Sequence, residues 1–249
     1  RDYAYFSSYA ASWLRHAETY VDAMIGRLGL DGRSRVVEVA SNDGYLLQYF
    51  VKRGIPVLGV EPAANVARAA IEKGVATRVG FFGRATARKL VEEGYAADLL
   101  VGNNVLAHVP NLNDFVAALR IALKPDGVLT MEFPHLLRLM DQVQFDTIYH
   151  EHFSYFSFST AERVFAAHGI RLFDVEELPS HGGSLRIFGT RAEADRPATP
   201  AVDALRAREK AAGLDRLETY DGFGERVKSV TRRLLAFLVE AKDAGKSIV

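Results

Sequence analysis

Cysteine is absent from the 249 residues, which excludes a disulfide framework and any thiolate zinc site within the chain. Also missing are an apolar run of about 18 residues and the leader pattern of a secretory signal. The expectation is a soluble protein with no membrane partner and the cytoplasm as its compartment. Neither sign of charge is in excess: 31 Lys and Arg balance 31 Asp and Glu, and no basic block stands out. Duplex binding usually needs a basic face, so no nucleic-acid partner is expected. There is no internal repeat and no low-complexity segment. What is present is a 49% hydrophobic content over a length that suits one large core plus an appendage. The chain opens at Arg1 and closes on Gly245-Lys246-Ser247-Ile248-Val249, which reads as the start of a strand, so a piece of a longer protein is expected.

Trp13, Ala17, Tyr20, Val21, Met24 and Leu28 share one stripe of a helix running from about Tyr9 to Leu28. Strand candidates at Arg35–Val39, Pro56–Val60, Ala97–Gly102 and Gly127–Phe133 alternate with helices at Gly44–Val51, after Pro62 at a first helical turn, and at Asn113–Leu123. That alternation implies a parallel sheet covered on both faces. Most histidines fall in a stretch without clear period, Pro134 to Phe158. Ser159-Thr160-Ala161-Glu162 has capping-box spacing and opens a helix to His168. Ile170–Glu176 and Ser184–Thr190 read as an antiparallel pair. Ala201–Ala244 reads as helix, broken near Gly213 and Gly222. Three sections follow: a helical lead-in over 1–30, an α/β domain over 31–195, and C-terminal helices over 196–249 that begin a further domain.

Ligands of such sheets bind outside the carboxyl ends of the strands. The turn after the first strand, Glu38-Val39-Ala40-Ser41-Asn42-Asp43-Gly44, carries one glycine where a dinucleotide fingerprint wants three. It is also acidic, which disfavours a diphosphate and suits a ligand with a cationic end, such as the amino and sulfonium groups of S-adenosylmethionine. Glu61, at the tip of the second strand, is placed for two ribose hydroxyls. Gly80-Phe81-Phe82 offers aromatic surface to an adenine, and Asn103-Asn104 brings two amides to the mouth of the fourth strand. The plainer alternatives are core packing for Phe81 and Phe82, helix capping for Asn42 and Asp43, and an exposed carboxylate at Glu61.

Taken in order, the Glu38–Gly44 turn, Gly59-Val60-Glu61-Pro62, Asn103-Asn104-Val105-Leu106-Ala107-His108-Val109 and Leu123-Lys124-Pro125-Asp126-Gly127 resemble the successive motifs of class I S-adenosylmethionine-dependent methyltransferases. Phe145-Asp146-Thr147-Ile148-Tyr149-His150-Glu151-His152-Phe153 and Pro179-Ser180-His181-Gly182-Gly183-Ser184-Leu185-Arg186 narrow the resemblance to sugar C-methyltransferases, of the tetronitrose C-methyltransferase type, that act on nucleotide-linked deoxysugars. The resemblance covers nearly the whole chain, and the Tyr149–Phe153 run is its most specific part. It implies an α/β, Rossmann-like, mostly parallel seven-stranded sheet with an antiparallel last hairpin and helical segments at both ends. It also implies S-adenosylmethionine as cofactor and 31–195 as the domain that binds it. The expected cofactor contacts are Glu38, Ala40, Asn42, Asp43, Gly44, Glu61, Pro62, Phe81, Phe82, Asn103, Asn104 and His108. The resemblance further implies a catalytic group at Tyr149, Glu151 and His152, with His152 as general base, and a sugar pocket lined by His181, Gly182 and Gly183. Members usually carry a cysteine-rich zinc domain before this core and a nucleotide-fold domain after it, and this sequence shows neither. Ala40-Ser41-Asn42, where a glycine pair is commoner in the wider superfamily, implies a less open turn.

The chemistry suits those residue types. Carbon beside a ketone becomes a nucleophile only on losing a proton, so the site needs a base near neutral pKa and a donor for the developing oxyanion. Histidine supplies the first, with an unperturbed pKa of about 6.5; Glu151 is placed to orient its ring and Tyr149 to bond the enolate oxygen. His150 and His152 also match a His-x-His metal pair on one face of a strand, but no third ligand follows, so no metal is expected. His16, His108, His135 and His168 read as structural or surface residues, with His108 the one of them placed to touch the cofactor region. The rival functions are an O- or N-methyltransferase for a small molecule and a noncatalytic cofactor-binding or scaffold protein.

Overall fold

The computed structural model describes residues 3–248. Arg1 and Asp2 of the lead-in and Val249 of the expected terminal strand lie outside them, and Lys246–Ile248 form no strand. Helix α1 (Ala11–Leu28) buries Ala17, Tyr20, Val21 and Met24, the inner part of the expected stripe. It stops at Gly29, whose left-handed backbone (φ 63°) lets its N–H reach the Ile25 carbonyl.

Five strands follow: β1 (Val36–Val39), β2 (Val57–Glu61), β3 (Thr77–Val79), β4 (Ala97–Asn103) and β5 (Leu123–Pro134). Between them run helices α2 (Leu47–Lys52), α3 (Ala64–Glu72), α4 (Arg84–Glu92) and α5 (Leu112–Ala122). After β5 come α6 (Leu136–Gln142), α7 (Phe158–Ala167), β6 (Ile170–Leu178) and β7 (Ser184–Arg191). The C-terminal helices are α8 (Pro200–Ala211), α9 (Glu218–Asp221) and α10 (Phe223–Asp243). One sheet results, in the order β3-β2-β1-β4-β5-β7-β6. All pairings are parallel except those of β7, which runs antiparallel to both β5 and β6. The strand order reverses between β1 and β4, so the crevice at their carboxyl ends is where this architecture binds ligands.

Central parallel strands are covered on both faces, hence their nearly continuous apolar runs. Val37, Leu100 and Leu129 pack towards α4, α5, α7 and α8 with Phe115, Phe158 and Phe165. Val36, Leu99 and Val128 pack the opposite way, towards α1 and α2 with Tyr20, Phe50 and Phe188. Each fully buried large side chain contributes roughly 1.5–3 kcal/mol of transfer free energy. Helix α8 belongs to this core through Val202 and Leu205, whereas α10 buries none of its residues.

Several expectations shift. Helix α3 starts at Ala64, not at Pro62, because the Glu61 carboxylate bends back to accept the Ala63 N–H (2.8 Å) and leaves Pro62 outside the helix. Helix α7 is capped by Ser157, whose Oγ accepts the Thr160 N–H (3.1 Å); Ser159 already lies within the helix. The short strand β3 is half-exposed, and Thr-Arg-Val shows no alternation to reveal it. Residues 145–152 form a short 3-10 helix and a turn, so His150 and His152 are not paired on one face of a strand.

Candidate functional site

The turn after β1 folds tightly with little glycine. Ala40 and Asn42 adopt left-handed backbone (φ 56° and 49°), as does Asn104 after β4 (φ 52°). Such conformations are easy for Asn but cost Ala roughly 1–2 kcal/mol, so the surroundings must enforce them. They do: the Ala40 and Ser41 N–H groups both donate to the Val60 carbonyl, and the Asn42 N–H donates to Glu61 Oε2 (3.0 Å). Gly44 is required at the next bend, since a Cβ there would stand 3.0 Å from Val75 Cγ2 at a φ of 75°. Ala40 therefore occupies a backbone state that glycine would take without strain.

Around this turn, polar atoms are buried without partners. Both Glu38 oxygens, Ser41 Oγ, Asn103 Oδ1 and Asn104 Oδ1 make no hydrogen bond, and all stand at or just past the carboxyl end of β1 or β4. Burying polar groups unpaired costs free energy, and most of these are acceptors. Burial pushes the Glu38 carboxyl well above the usual carboxylate range; the nearby Tyr45 hydroxyl pulls it down without a bond of ordinary geometry, and Glu61 and Asp43 add to the rise. A ligand end rich in N–H donors and positive charge fits this donor-poor crevice, and the aminoacyl sulfonium end of S-adenosylmethionine is one.

Residues Tyr3–Tyr9 strap the mouth. The Ser7 N–H donates to Asn42 Oδ1 (2.9 Å), and Asn42 Nδ2 donates to the Tyr5 carbonyl (3.2 Å). Tyr3 and Asn65 exchange two bonds (3.0 and 2.7 Å). Lys73 Nζ joins Ser8 Oγ to Asp43 Oδ2, each at 2.8 Å. Burial raises the Tyr3 phenol pKa, and Glu151, Tyr149 and Glu61 add to the rise. The Tyr149 loop reaches the same end of the sheet, where it is bonded to the segment that follows β4.

In that loop His152 is held at both nitrogens. Nδ1 is 2.9 Å from the Thr147 carbonyl, which can only accept, so Nδ1 carries the proton and a neutral ring has its lone pair on Nε2. The Tyr149 hydroxyl sits 3.0 Å from that Nε2. The group that orients the ring is thus the Thr147 carbonyl, where Glu151 was expected. His108 packs edge-on to His152 at 4.7 Å. Burial lowers the His108 pKa, His152 lowers it further, and Glu151 opposes both. The Phe153 N–H donates to the Ala107 carbonyl (2.8 Å), which pins the loop to the segment after β4. Among the described residues no three His, Asp or Glu side chains are grouped as metal ligands.

The remaining residues divide. His181 takes left-handed backbone beside Gly182 and Gly183 and sets its ring edge-on to Trp13 at 5.3 Å. Phe82 packs against Phe115 in the core, Phe81 is 83% exposed, and Pro62 is exposed. A second polar cluster was not legible as part of the site. Fully buried Glu132 accepts from Ser180 Oγ (2.7 Å), Arg186 Nη2 (2.9 Å) and His16 Nε2 (2.9 Å). Those partners offset its burial and hold it below the usual carboxylate range. His16 stacks on Trp13, which also stacks on Tyr45, so α1 walls the crevice. The available signal was a lone carboxylate inside the apolar run Val128–Phe133.

Comparison with known proteins agrees with this geometry. Residues 13–175 match the family described as a methyltransferase domain, and residues 179–249 match a C-methyltransferase C-terminal domain. The chain belongs to the methyltransferase-domain family, for which S-adenosylmethionine is the methyl donor. It is 36% identical over 240 residues to the C-methyltransferase NovU of Streptomyces niveus, covering 95% of this chain and 57% of NovU. The chain thus spans little more than half the length of that relative. A ubiquinone biosynthesis O-methyltransferase of Bartonella bacilliformis is 28% identical over 98 residues, 38% of this chain and 39% of that protein. Among solved structures, the PH0226 protein of Pyrococcus horikoshii OT3 superposes with a TM-score of 0.60 at 19% identity, covering 75% of this chain and 94% of that one. The magnesium protoporphyrin IX methyltransferase ChlM of Synechocystis PCC 6803, solved with bound SAH, gives 0.56 at 12% identity over 72% and 83%. These two show the shared fold, the seven-stranded sheet with its antiparallel last hairpin. No helix among the described residues is long and apolar enough to cross a membrane.

Proposed function

We propose that this chain carries the cofactor-binding and catalytic core of a cytoplasmic C-methyltransferase for a nucleotide-linked keto-deoxysugar. The observation that carries the reading is His152: its Nδ1 is committed to a carbonyl, its Nε2 is paired with a phenol, and the adjoining Phe153 N–H is bonded to Ala107 in the segment after β4. The likeness to NovU favours carbon as the methylated atom.

S-adenosylmethionine supplies an electrophilic methyl, leaving the C–S electron pair on sulfur. The chain's own residues generate the nucleophile. His152 Nε2 takes the proton from carbon beside the ketone, and the C–H pair becomes the enolate double bond. The Tyr149 hydroxyl, released from Nε2, is a hydrogen-bond donor for the enolate oxygen. Glu38, Asn103 and Glu61 hold the donor end and ribose, and the strap from Tyr3 to Tyr9 excludes water. The His181–Gly183 loop, backed by Trp13, lines the sugar pocket.

Methylation of a hydroxyl is the second reading, because the same His–Tyr pair serves an O–H acid and because part of the chain resembles the Bartonella O-methyltransferase. Incubation with a 4-keto-sugar nucleotide and 13C-methyl donor, followed by NMR, decides between them: a methyl resonance coupled to ring carbon is expected, and a methoxy signal overturns the carbon reading. His152→Ala is expected to keep S-adenosylhomocysteine binding by calorimetry and to lose turnover by about 10²–10⁴-fold. Unchanged turnover removes His152 from the mechanism.

A further inference from the structure

Glu209 projects from the last turn of α8 and is 1% exposed. A buried carboxylate is tolerated only when paired and hydrogen-bonded, and four donors converge on this one. Oε1 accepts from His135 Nε2 (2.7 Å) and the Phe158 N–H (2.5 Å). Oε2 accepts from the Ser159 N–H (2.9 Å) and the Ser159 hydroxyl (2.7 Å). Burial pushes its pKa up, yet the bonds from His135, Ser159 and Phe158 together hold it below the usual carboxylate range.

The donors belong to the supports of the site. His135 follows β5 directly. Its N–H donates to the Gly183 carbonyl of the proposed sugar loop (3.0 Å), and the adjoining Leu136 N–H donates to the Phe156 carbonyl (2.9 Å). His135 and Phe156 form an isolated bridge. Phe156 lies four residues beyond His152, and Phe158 and Ser159 open α7 immediately after it. The downstream end of the Tyr149–His152 loop is therefore fastened at the bridge and at the α7 N-terminus, and Glu209 grips both.

We infer that Glu209 is a positioning residue that, through His135 and the first turn of α7, sets where His152 stands relative to the sugar loop. The inference rests on the base role proposed for His152. It also gives α8, within the stretch matched by the C-methyltransferase C-terminal family, a function in the site that its distance along the chain conceals.

Glu209→Gln keeps the size of the side chain but turns one acceptor into a donor facing N–H groups. The test reads hydrogen–deuterium exchange, S-adenosylhomocysteine affinity and the His152 ring resonances by NMR. Exchange over residues 148–157 is expected to accelerate about tenfold or more, while amides of β1 and β2 keep their rates. Cofactor affinity is expected to hold, and the His152 resonances to move. Unchanged loop exchange with unmoved resonances overturns the inference. So does uniformly faster exchange with weakened cofactor binding, which marks a merely structural role. If Glu209→Gln does not fold, Ser159→Ala, which removes one donor and spares the charge, is read the same way: acceleration confined to 148–157 supports the inference and none overturns it. These readouts do not depend on turnover, so failure of the His152 base assignment is seen separately.

Discussion

Glu38 permits a quantitative test of the cofactor crevice. Its carboxyl is 1% exposed and neither oxygen has a hydrogen-bond partner, and burial raises its pKa well above the ordinary value. Burial therefore favours its neutral acid form in the free protein. A cationic donor docking beside it favours the carboxylate, so binding must expel a proton, up to about one per site. A hydrogen bond to a charged partner contributes about 1.5–3 kcal/mol, and about 1.4 kcal/mol is a factor of ten in affinity. Glu38→Gln should then weaken S-adenosylhomocysteine binding by roughly 10- to 150-fold. Calorimetry in two buffers of different ionisation enthalpy gives the proton count: a release that falls as pH rises in the wild type, and none in Glu38→Gln. The unliganded protein supplies an independent check. A carboxyl with a raised folded pKa stabilises the fold fully below its unfolded value and loses that contribution as pH rises towards the folded one. Glu38→Gln should accordingly lack that loss, gaining stability relative to the wild type as pH rises above the ordinary carboxylate range. Equal proton counts in the two proteins, or affinity unchanged in the variant, would refute the assignment of Glu38 to the cationic end.

Glu61→Ala is expected to weaken cofactor binding at least about tenfold by calorimetry and to lower stability by about 1–3 kcal/mol, because the Asn42 and Ala63 N–H groups lose their acceptor. Phe165→Ala opens a cavity in the core between α7 and the sheet, where Phe165 is fully buried; denaturant unfolding should show a loss of about 3–5 kcal/mol. Glu132 has a depressed pKa through His16 and Arg186, so its stabilisation is present above the ordinary carboxylate range and lost as pH falls through its folded value. Glu132→Gln should flatten the acid side of a stability-against-pH curve measured by thermal unfolding.

The order of elements was legible because each central strand is a short apolar run between helix signals, a pattern set by burial on both faces. That Glu38, Asn42, Glu61 and Asn103 gather at the carboxyl ends of the strands was legible from the strand–helix alternation, since a parallel sheet leaves those loops at its switch point. Local chemistry was read less well. Nothing in Tyr149–His152 indicates that a carbonyl five residues before His152, at Thr147, orients the ring, because main-chain acceptors have no signature in sequence. Ser159 looked like a cap because Glu162 lies three residues on, yet Ser157 begins the helix and Glu209, fifty residues away, takes the Ser159 N–H. Phe81 and Phe82 were indistinguishable until the fold turned Phe82 to Phe115. What escaped the sequence was a main-chain acceptor at Thr147 and the long-range partners of Ser159 and Phe82.

Three carboxylates buried in this domain show how partners separate architecture from site. Glu132 and Glu209 are as deeply buried as Glu38. Glu132 collects three donors and Glu209 four from the chain itself, and both are held below the ordinary range. Glu38 has none and is pushed the other way. Desolvation acts on all three alike, so the difference lies in what the fold supplies to compensate it. Where the compensation is internal, the charge fastens strands and loops together: Glu132 joins β5 to β7 and the Ser180 loop, and Glu209 joins α8 to the loop of His152. Where it is withheld, the group is complete only with a ligand of opposite charge. On that reasoning Glu38, unlike Glu132 and Glu209, is the carboxylate we propose as the cofactor contact.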